Sequence, residues 1–237
     1  MIHFDSDYMA GAHPEILEAL VRTNLEHTAG YGNDPYTAEA KALIRKAVGA
    51  EDAQVFFLVG GTQTNATVID GILARHEGVV AADSGHIAVH ESGAIEASGH
   101  KVLTLPHHEG KLRAEEVERY IEDFYADETY PHMVAPGMVY ISQPTEYGTI
   151  YSLAELEALG AVCRKHAIPL YIDGARLGYG LKAEGADFTL KDVARIADVF
   201  YIGGTKVGAL FGEAVVVTNP KLLRNLFPLV KQHGALL

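Results

Sequence analysis

Four short stretches carry residue types capable of chemistry, and each sits directly behind an apolar, β-type run. Gly60-Gly61-Thr62-Gln63-Thr64-Asn65 follows Val55 to Val59 and precedes a helical pattern. Two glycines let backbone approach a ligand closely, and a helix start offers unbonded N–H groups with a favourable dipole, which together suit a phosphate. The spacing matches neither the dinucleotide fingerprint nor the P-loop, and a plain strand-to-helix turn accounts for it as well. Asp83-Ser84-Gly85-His86 follows Val79 to Ala82. An imidazole there can stack on an aromatic ligand or exchange a proton near neutral pH, or it can simply pack.

The third stretch is Tyr171-Ile172-Asp173-Gly174-Ala175-Arg176, an apolar strand that ends in a carboxylate with a guanidinium three residues on. A structural ion pair is one reading. The other gives Asp173 a protonated ring nitrogen to pair with and lets Arg176 grip a substrate carboxylate bidentately. The fourth is Val199-Phe200-Tyr201-Ile202-Gly203-Gly204-Thr205-Lys206, where a lysine follows a buried-type strand through a tight turn. Desolvation there lowers an amine's pKa and makes it a better nucleophile. His86 and His90 have helical metal-ligand spacing, but no third ligand accompanies them, so no metal is expected. His107 and His108 are read as solvated.

These residues need a frame that brings strand ends together. From Gln54 onward β-rich runs alternate with helical patterns: Val55 to Val59, Val79 to Ala82, Lys101 to Leu105, Met138 to Ile141, Pro169 to Asp173, Val199 to Ile202 and Ala214 to Thr218. This rhythm predicts an α/β fold with a mostly parallel seven-stranded sheet and helices on both faces. Covering helices are expected over Thr64 to Ala74, Ala114 to Tyr125 and Leu153 to His166, the last with Ser152 as N-cap and Glu155 at the capping-box position. Two further helices, Pro14 to Leu25 and Tyr36 to Val48, flank the turn-rich Ala29 to Pro35. Lys221 to Leu237 reads as a final helix interrupted near Pro228. In such sheets ligands gather at the carboxyl ends of strands, where all four stretches lie.

The chain has 237 residues, enough for one large core, and 48% of them are hydrophobic. Its formal charge of −12, from 19 Lys+Arg against 31 Asp+Glu, disfavours nucleic acid and anionic membranes as partners. No apolar run approaches the length of a membrane span. Cys163 is the single cysteine and has no partner for an intrachain disulfide, and the opening residues lack a leader pattern, so a cytoplasmic location is expected.

A phosphate turn, a strand-end Asp with a nearby Arg and a strand-end Lys occur together in pyridoxal 5'-phosphate chemistry. The sequence resembles the low-specificity L-threonine aldolases of the β-eliminating lyase group, with an aspartate-aminotransferase-like large domain. The resemblance runs from Phe4-Asp5-Ser6-Asp7 through Gly-Gly-Thr-Gln-Thr-Asn and Asp-Gly-Ala-Arg to the Lys206 segment. It implies that Lys206 holds the cofactor as a Schiff base, Asp173 pairs with the ring nitrogen and His86 stacks on the ring. It also implies that Gly61 and Thr62 bind phosphate with Thr205, and that Ser6 and Arg176 hold the carboxylate of a small amino-acid substrate. Tyr31 then belongs near the site of a neighbouring subunit, in a homodimer or homotetramer. Residues 1–35 are expected to form an arm, 36–220 the cofactor domain, and 221–237 the start of a helix leading to a small C-terminal domain. In the resemblance, Glu146 stands where many members have a histidine assigned to the substrate hydroxyl. The implied reaction cleaves a β-hydroxy-α-amino acid to glycine and an aldehyde. Another β-eliminating lyase, or a truncated homologue that binds cofactor without turnover, is the alternative; a nucleotide-binding oxidoreductase leaves Lys206 unexplained.

Overall fold

The alternating pattern folds into one seven-stranded sheet in the computed structural model, which describes residue 3, residues 5–223 and residues 226–236. Phe4 and Leu237, which bound the sequence readings above, lie outside the described residues. In chain order the elements are α1 (Pro14–Thr23), α2 (Pro35–Val48), β1 (Gln54–Leu58), α3 (Gly61–Ile72), β2 (Glu77–Ala82), α4 (His86–Val89) and α5 (Ala94–Ala97). They continue with β3 (Val102–Leu105), α6 (Ala114–Ala126), β4 (Ala135–Ser142), α7 (Leu153–His166), β5 (Leu170–Asp173) and α8 (Leu177–Gly180). The last are α9 (Leu190–Ile196), β6 (Val199–Gly203), β7 (Glu213–Val217) and α10 (Leu226–Gln232).

The strand order is β1-β7-β6-β5-β4-β2-β3. The pairs β6·β5, β5·β4, β4·β2 and β2·β3 are parallel, while β7 runs antiparallel to both β1 and β6. Parallel strands covered on both faces read as continuous apolar runs, and β4, β5 and β6 are buried along almost their whole length. The pleat still sorts side chains by face. Val139, Ile141, Leu170, Ile172 and Phe200 pack with Val117 and Ile121 of α6, Leu156 and Leu159 of α7 and Val193 of α9. Met138, Tyr140, Tyr171, Val199 and Tyr201 pack on the opposite side with Val68 and Ile69 of α3, Ile95 of α5 and Val230 of α10.

Helix signals in the sequence have their physical counterparts. Ser152 accepts from the Glu155 N–H at 3.3 Å and Glu155 accepts from the Ser152 N–H at 2.7 Å, closing the capping box that starts α7. Asp34 caps α2 in the same way, accepting from Thr37 N at 2.7 Å. Two expectations need correction. The first long covering helix starts at Gly61, three residues before the expected Thr64, because Gly60 already sits in the N-cap position and the Thr64 N–H bonds its carbonyl at 2.9 Å. The final segment is not a helix from Lys221 broken at Pro228. A 3-10 turn covers Pro220–Leu223, and Pro228 lies in the first turn of α10, where its missing N–H has no carbonyl to serve.

At the site end of the sheet, close packing depends on two glycines. A Cβ on Gly174 would overlap the Tyr201 carbonyl, and one on Gly203 would lie 2.5 Å from the Ala175 carbonyl. Without side chains there, the Gly203 N–H reaches the Gly174 carbonyl at 2.9 Å, and the segments after β5 and β6 run side by side. Asp173 and Lys206 are thereby carried on adjoining strand tips.

Candidate active site

A cavity of about 350 Å³ opens at the carboxyl ends of the strands, a size suited to a small ligand. Gly61, Thr62, His86, Asp173, Arg176, Thr205 and Lys206 all line it, so the sheet gathers these candidates from four separate stretches. Tyr8, Ser142, Glu146, Tyr201 and Glu213 line it as well.

Asp173 is 4% exposed at the tip of β5 and receives four hydrogen bonds. Tyr201 Oη and the Ala175 N–H donate to Oδ1 at 2.5 and 2.9 Å, and Tyr140 Oη and Asn65 Nδ2 donate to Oδ2 at 2.6 and 3.0 Å. A buried carboxylate needs such donors to persist, and this one is fixed in direction by strands β4, β5 and β6 together with α3. Burial and the charge of Asp173 hold the Tyr140 and Tyr201 phenols well above the usual range, so they act as donors. Asn65 is oriented from its other end by Tyr171 Oη, which donates to its Oδ1 at 2.7 Å.

Lys206 stands half-buried after β6. Burial, reinforced by the Arg176 charge, pulls its amine below the ordinary lysine value, as a nucleophilic amine requires. The turn that carries it is held by Glu213 at the head of β7, which accepts from Gly204 N at 3.0 Å and Thr205 Oγ1 at 2.7 Å. Burial pushes the Glu213 carboxyl up. Thr205 therefore spends its hydroxyl proton on Glu213.

The N-terminus of α3 presents its first-turn amides to the cavity with Gly61 and Thr62 as its floor. His86 occupies another wall. Its Nδ1 lies 2.7 Å from Glu91 Oε1, and that bond, aided by the Glu91 charge and opposed by burial, raises the imidazole pKa. Glu146 Oε1 accepts from the His86 N–H at 3.0 Å and from Ser142 Oγ at 2.6 Å.

Other sequence candidates fall differently. Arg176 lines the cavity, but both its Nε and Nη2 are engaged by the Asp7 carboxylate from the arm. Burial works against ionisation of Asp7, yet the Arg176 bond and charge keep its carboxyl below the usual value. Ser6 is half-buried and does not line the cavity; its Oγ accepts from Tyr8 N at 3.5 Å. Tyr31 borders a separate hollow with Phe56, Phe57 and Phe227, and Lys231 Nζ lies 4.8 Å from its ring centre. His107 and His108, read as solvated, are half-buried: His107 Nδ1 accepts from Gly110 N at 3.0 Å, and His108 Nε2 bonds Glu116 at 2.9 Å. The amide partner comes from the turn at Gly110 and the carboxylate partner from the first turn of α6.

His86 and His90 have ring centres 5.7 Å apart. Among the described residues, the cluster with metal-like spacing is instead Glu118, Glu122 and His166, and Lys165 Nζ already bonds both carboxylates, at 2.5 and 2.8 Å. Sequence reasoning missed Tyr140, Tyr201, Glu91 and Glu213. Glu213 had a legible signal, a lone charge opening the apolar run Ala214 to Val217. Glu91 had none, since only the fold brings it to Asn65.

The fold is the aspartate-aminotransferase-like α/β architecture of fold type I. The aspartate aminotransferase of Thermus thermophilus shares the architecture, with a TM-score of 0.72 at 19% identity over 94% of this chain and 58% of that one. Within that class, residues 3–237 match the beta-eliminating lyase model, and the chain belongs to the beta-eliminating lyase family. It is 34% identical to the low specificity L-threonine aldolase of Pseudomonas sp. (strain NCIMB 10558) over 98% of its own length. It spans 66% of that relative, just under two thirds. A structure of Leishmania major threonine aldolase superposes with a TM-score of 0.94 at 46% identity, covering 98% of this chain and 67% of that one.

The residues present fit the cofactor of this class. A buried, four-times hydrogen-bonded carboxylate suits a protonated ring nitrogen. An amine of lowered pKa and a helix N-terminus suit an aldehyde and a phosphate respectively.

Proposed function

We propose that this chain is the cofactor-binding part of an aldehyde-lyase that cleaves L-threonine, L-allo-threonine and related β-hydroxy-α-amino acids to glycine and an aldehyde. One observation carries the reading: the Lys206 amine and the Asp173 carboxylate line a single cavity with the N-terminus of α3. The likeness to threonine aldolases over nearly the whole chain supports the choice among the reactions of this class.

Bound pyridoxal phosphate supplies an electron sink for the charge left at a substrate's α-carbon. The protein's residues do the rest. Lys206 Nζ would hold the cofactor's aldehyde, its lowered pKa suiting it to that bond. Asp173, held by Tyr140, Tyr201 and Asn65, keeps a proton on the ring nitrogen. Gly61 and Thr62, with the first-turn amides of α3, hold the phosphate, while Thr205 braces the Lys206 turn through Glu213. His86 covers one ring face. Arg176 takes the substrate carboxylate in place of Asp7, with Ser6 beside it. Clamping of this kind would hold a bound substrate in one orientation, which is the protein's share of the rate.

Tyr31 acts in the cavity of a second copy, in a homodimer or homotetramer, which accords with its position in a separate hollow. The exposed Leu20 and Val21 of α1, with Leu25 just after it, are also suited to burial between copies. Residues 1–35 then serve as an arm and 36–220 as the cofactor domain, with 221–237 leading toward a smaller C-terminal unit. The chain contains no helix long and apolar enough to cross a membrane among the described residues. Its single buried cysteine suits a reducing compartment such as the cytoplasm.

The test supplies pyridoxal phosphate and offers threonine, allo-threonine, serine, tyrosine and cysteine in turn. Equal amounts of glycine and acetaldehyde from threonine are expected. Ammonia and a keto acid from serine, tyrosine or cysteine, with no glycine from threonine, would move the chain to a β-elimination reaction instead.

A further inference from the structure

Glu91 is 4% exposed, sits just after α4 and does not line the cavity, yet its Oε1 is the meeting point of two groups that do the cavity's work. His86 Nδ1 lies 2.7 Å from it and Asn65 Nδ2 also donates to it at 2.7 Å. The second N–H of the same Asn65 amide donates to Asp173 at 3.0 Å. A carboxylate taken this far from water needs a reason to be retained, all the more because its Oε2 is buried with no hydrogen-bond partner.

We propose that Glu91 is the positioning residue of this site: through one oxygen it fixes the ring and proton of His86 and, by way of Asn65, the direction of Asp173. The proposal rests on the cofactor reading of the cavity, because it concerns the two residues assigned to the ring. The geometry dictates the tautomer. An acceptor at Nδ1 keeps a proton on that nitrogen, which turns Nε2 toward the cavity. It also dictates the amide orientation, since Asn65 Oδ1 is already taken by Tyr171 Oη and its nitrogen must face the two carboxylates. Cutting Glu91 out therefore loosens His86 and Asn65, and through Asn65 Asp173, at once.

The charges facing His86 are Glu91, Asp173 and Glu146 on the acidic side, and Lys206 on the basic side, with the His90 ring beside it. The Glu91 bond raises the His86 pKa. With the folded value above the unfolded one, this pairing stabilises the fold below the unfolded pKa and its contribution fades as pH rises through the folded one.

Glu91→Gln keeps the side chain's size and removes its charge. In cofactor-free protein, histidine NMR titration is expected to show the His86 pKa falling relative to wild type, with His86→Phe used to assign the signal. Added pyridoxal phosphate should then bind on the order of tenfold more weakly, the usual scale for losing such a supporting residue. Asn65→Leu should leave the His86 pKa raised while weakening the cofactor, which a merely structural Glu91 would not separate. Should Glu91→Gln not fold, the wild-type imidazole decides: the proposal requires the proton on Nδ1 and a pKa above that of an ordinary histidine side chain. An unchanged His86 pKa in Glu91→Gln, or a proton on Nε2 alone in wild type, would overturn it. These titrations need no cofactor, so failure to bind pyridoxal phosphate would strike the functional reading and leave this result distinct.

Discussion

Asp173 and Lys206 are ordinary residue types made unusual by where their strands stop. Asp173 is held in one direction by the four donors that surround it. Asp173→Asn should retain cofactor binding at raised pyridoxal phosphate but lower kcat for threonine roughly 100-fold or more, since the lost charge acts on the transition state. An unchanged kcat would remove Asp173 from its role on the ring nitrogen. Both residues were legible in the sequence because an Asp or Lys at the end of an apolar run, just before a glycine turn or just after one, stands out. Their supports were not. Tyr140 and Tyr201 look like ordinary strand aromatics, and nothing in the spacing tells that their hydroxyls converge on Asp173 while Tyr171 turns to Asn65. Arg176 was read as a grip for a substrate carboxylate, and the carboxylate it meets in the structure is that of Asp7, from 169 residues away.

At the scale of elements, strands and long helices were readable because their periods and caps are local. All seven strands follow apolar runs visible in the sequence, and α7 spans the expected Leu153–His166 with its capping box in place. The short helices α4, α5 and α8 escaped notice, since a four-residue helix has no period to detect. So did the antiparallel placement of β7 between β1 and β6, which depends on where the chain returns after Lys206. The contact between the tips of β5 and β6 is the element that makes the site possible. Gly174→Ala would push a methyl group into the Tyr201 carbonyl, so a loss of about 3 kcal/mol is expected from overpacking alone. Urea unfolding followed by circular dichroism measures it. A midpoint equal to that of the wild type would show that the tips are not held together by this close approach.

For the whole molecule, two cores on opposite faces of one sheet lock the strand ends into a fixed array. That array, and no single motif, turns four scattered stretches into one cavity. With a formal charge of −12, an anionic cofactor would need local devices, for which the amides of α3 and the Lys206 amine are proposed, because the protein's overall field opposes it. The proposed partner surface was suggested only by the resemblance, because the exposure of α1 and of Tyr31 emerges once the chain is folded. The most direct measurement of the central claim is to load the protein with pyridoxal phosphate, reduce it with borohydride and locate the fixed cofactor by peptide mass mapping. The account predicts a single adduct on the peptide containing Lys206, absent from Lys206→Ala. An adduct spread over surface lysines, or one that survives in Lys206→Ala, would contradict it.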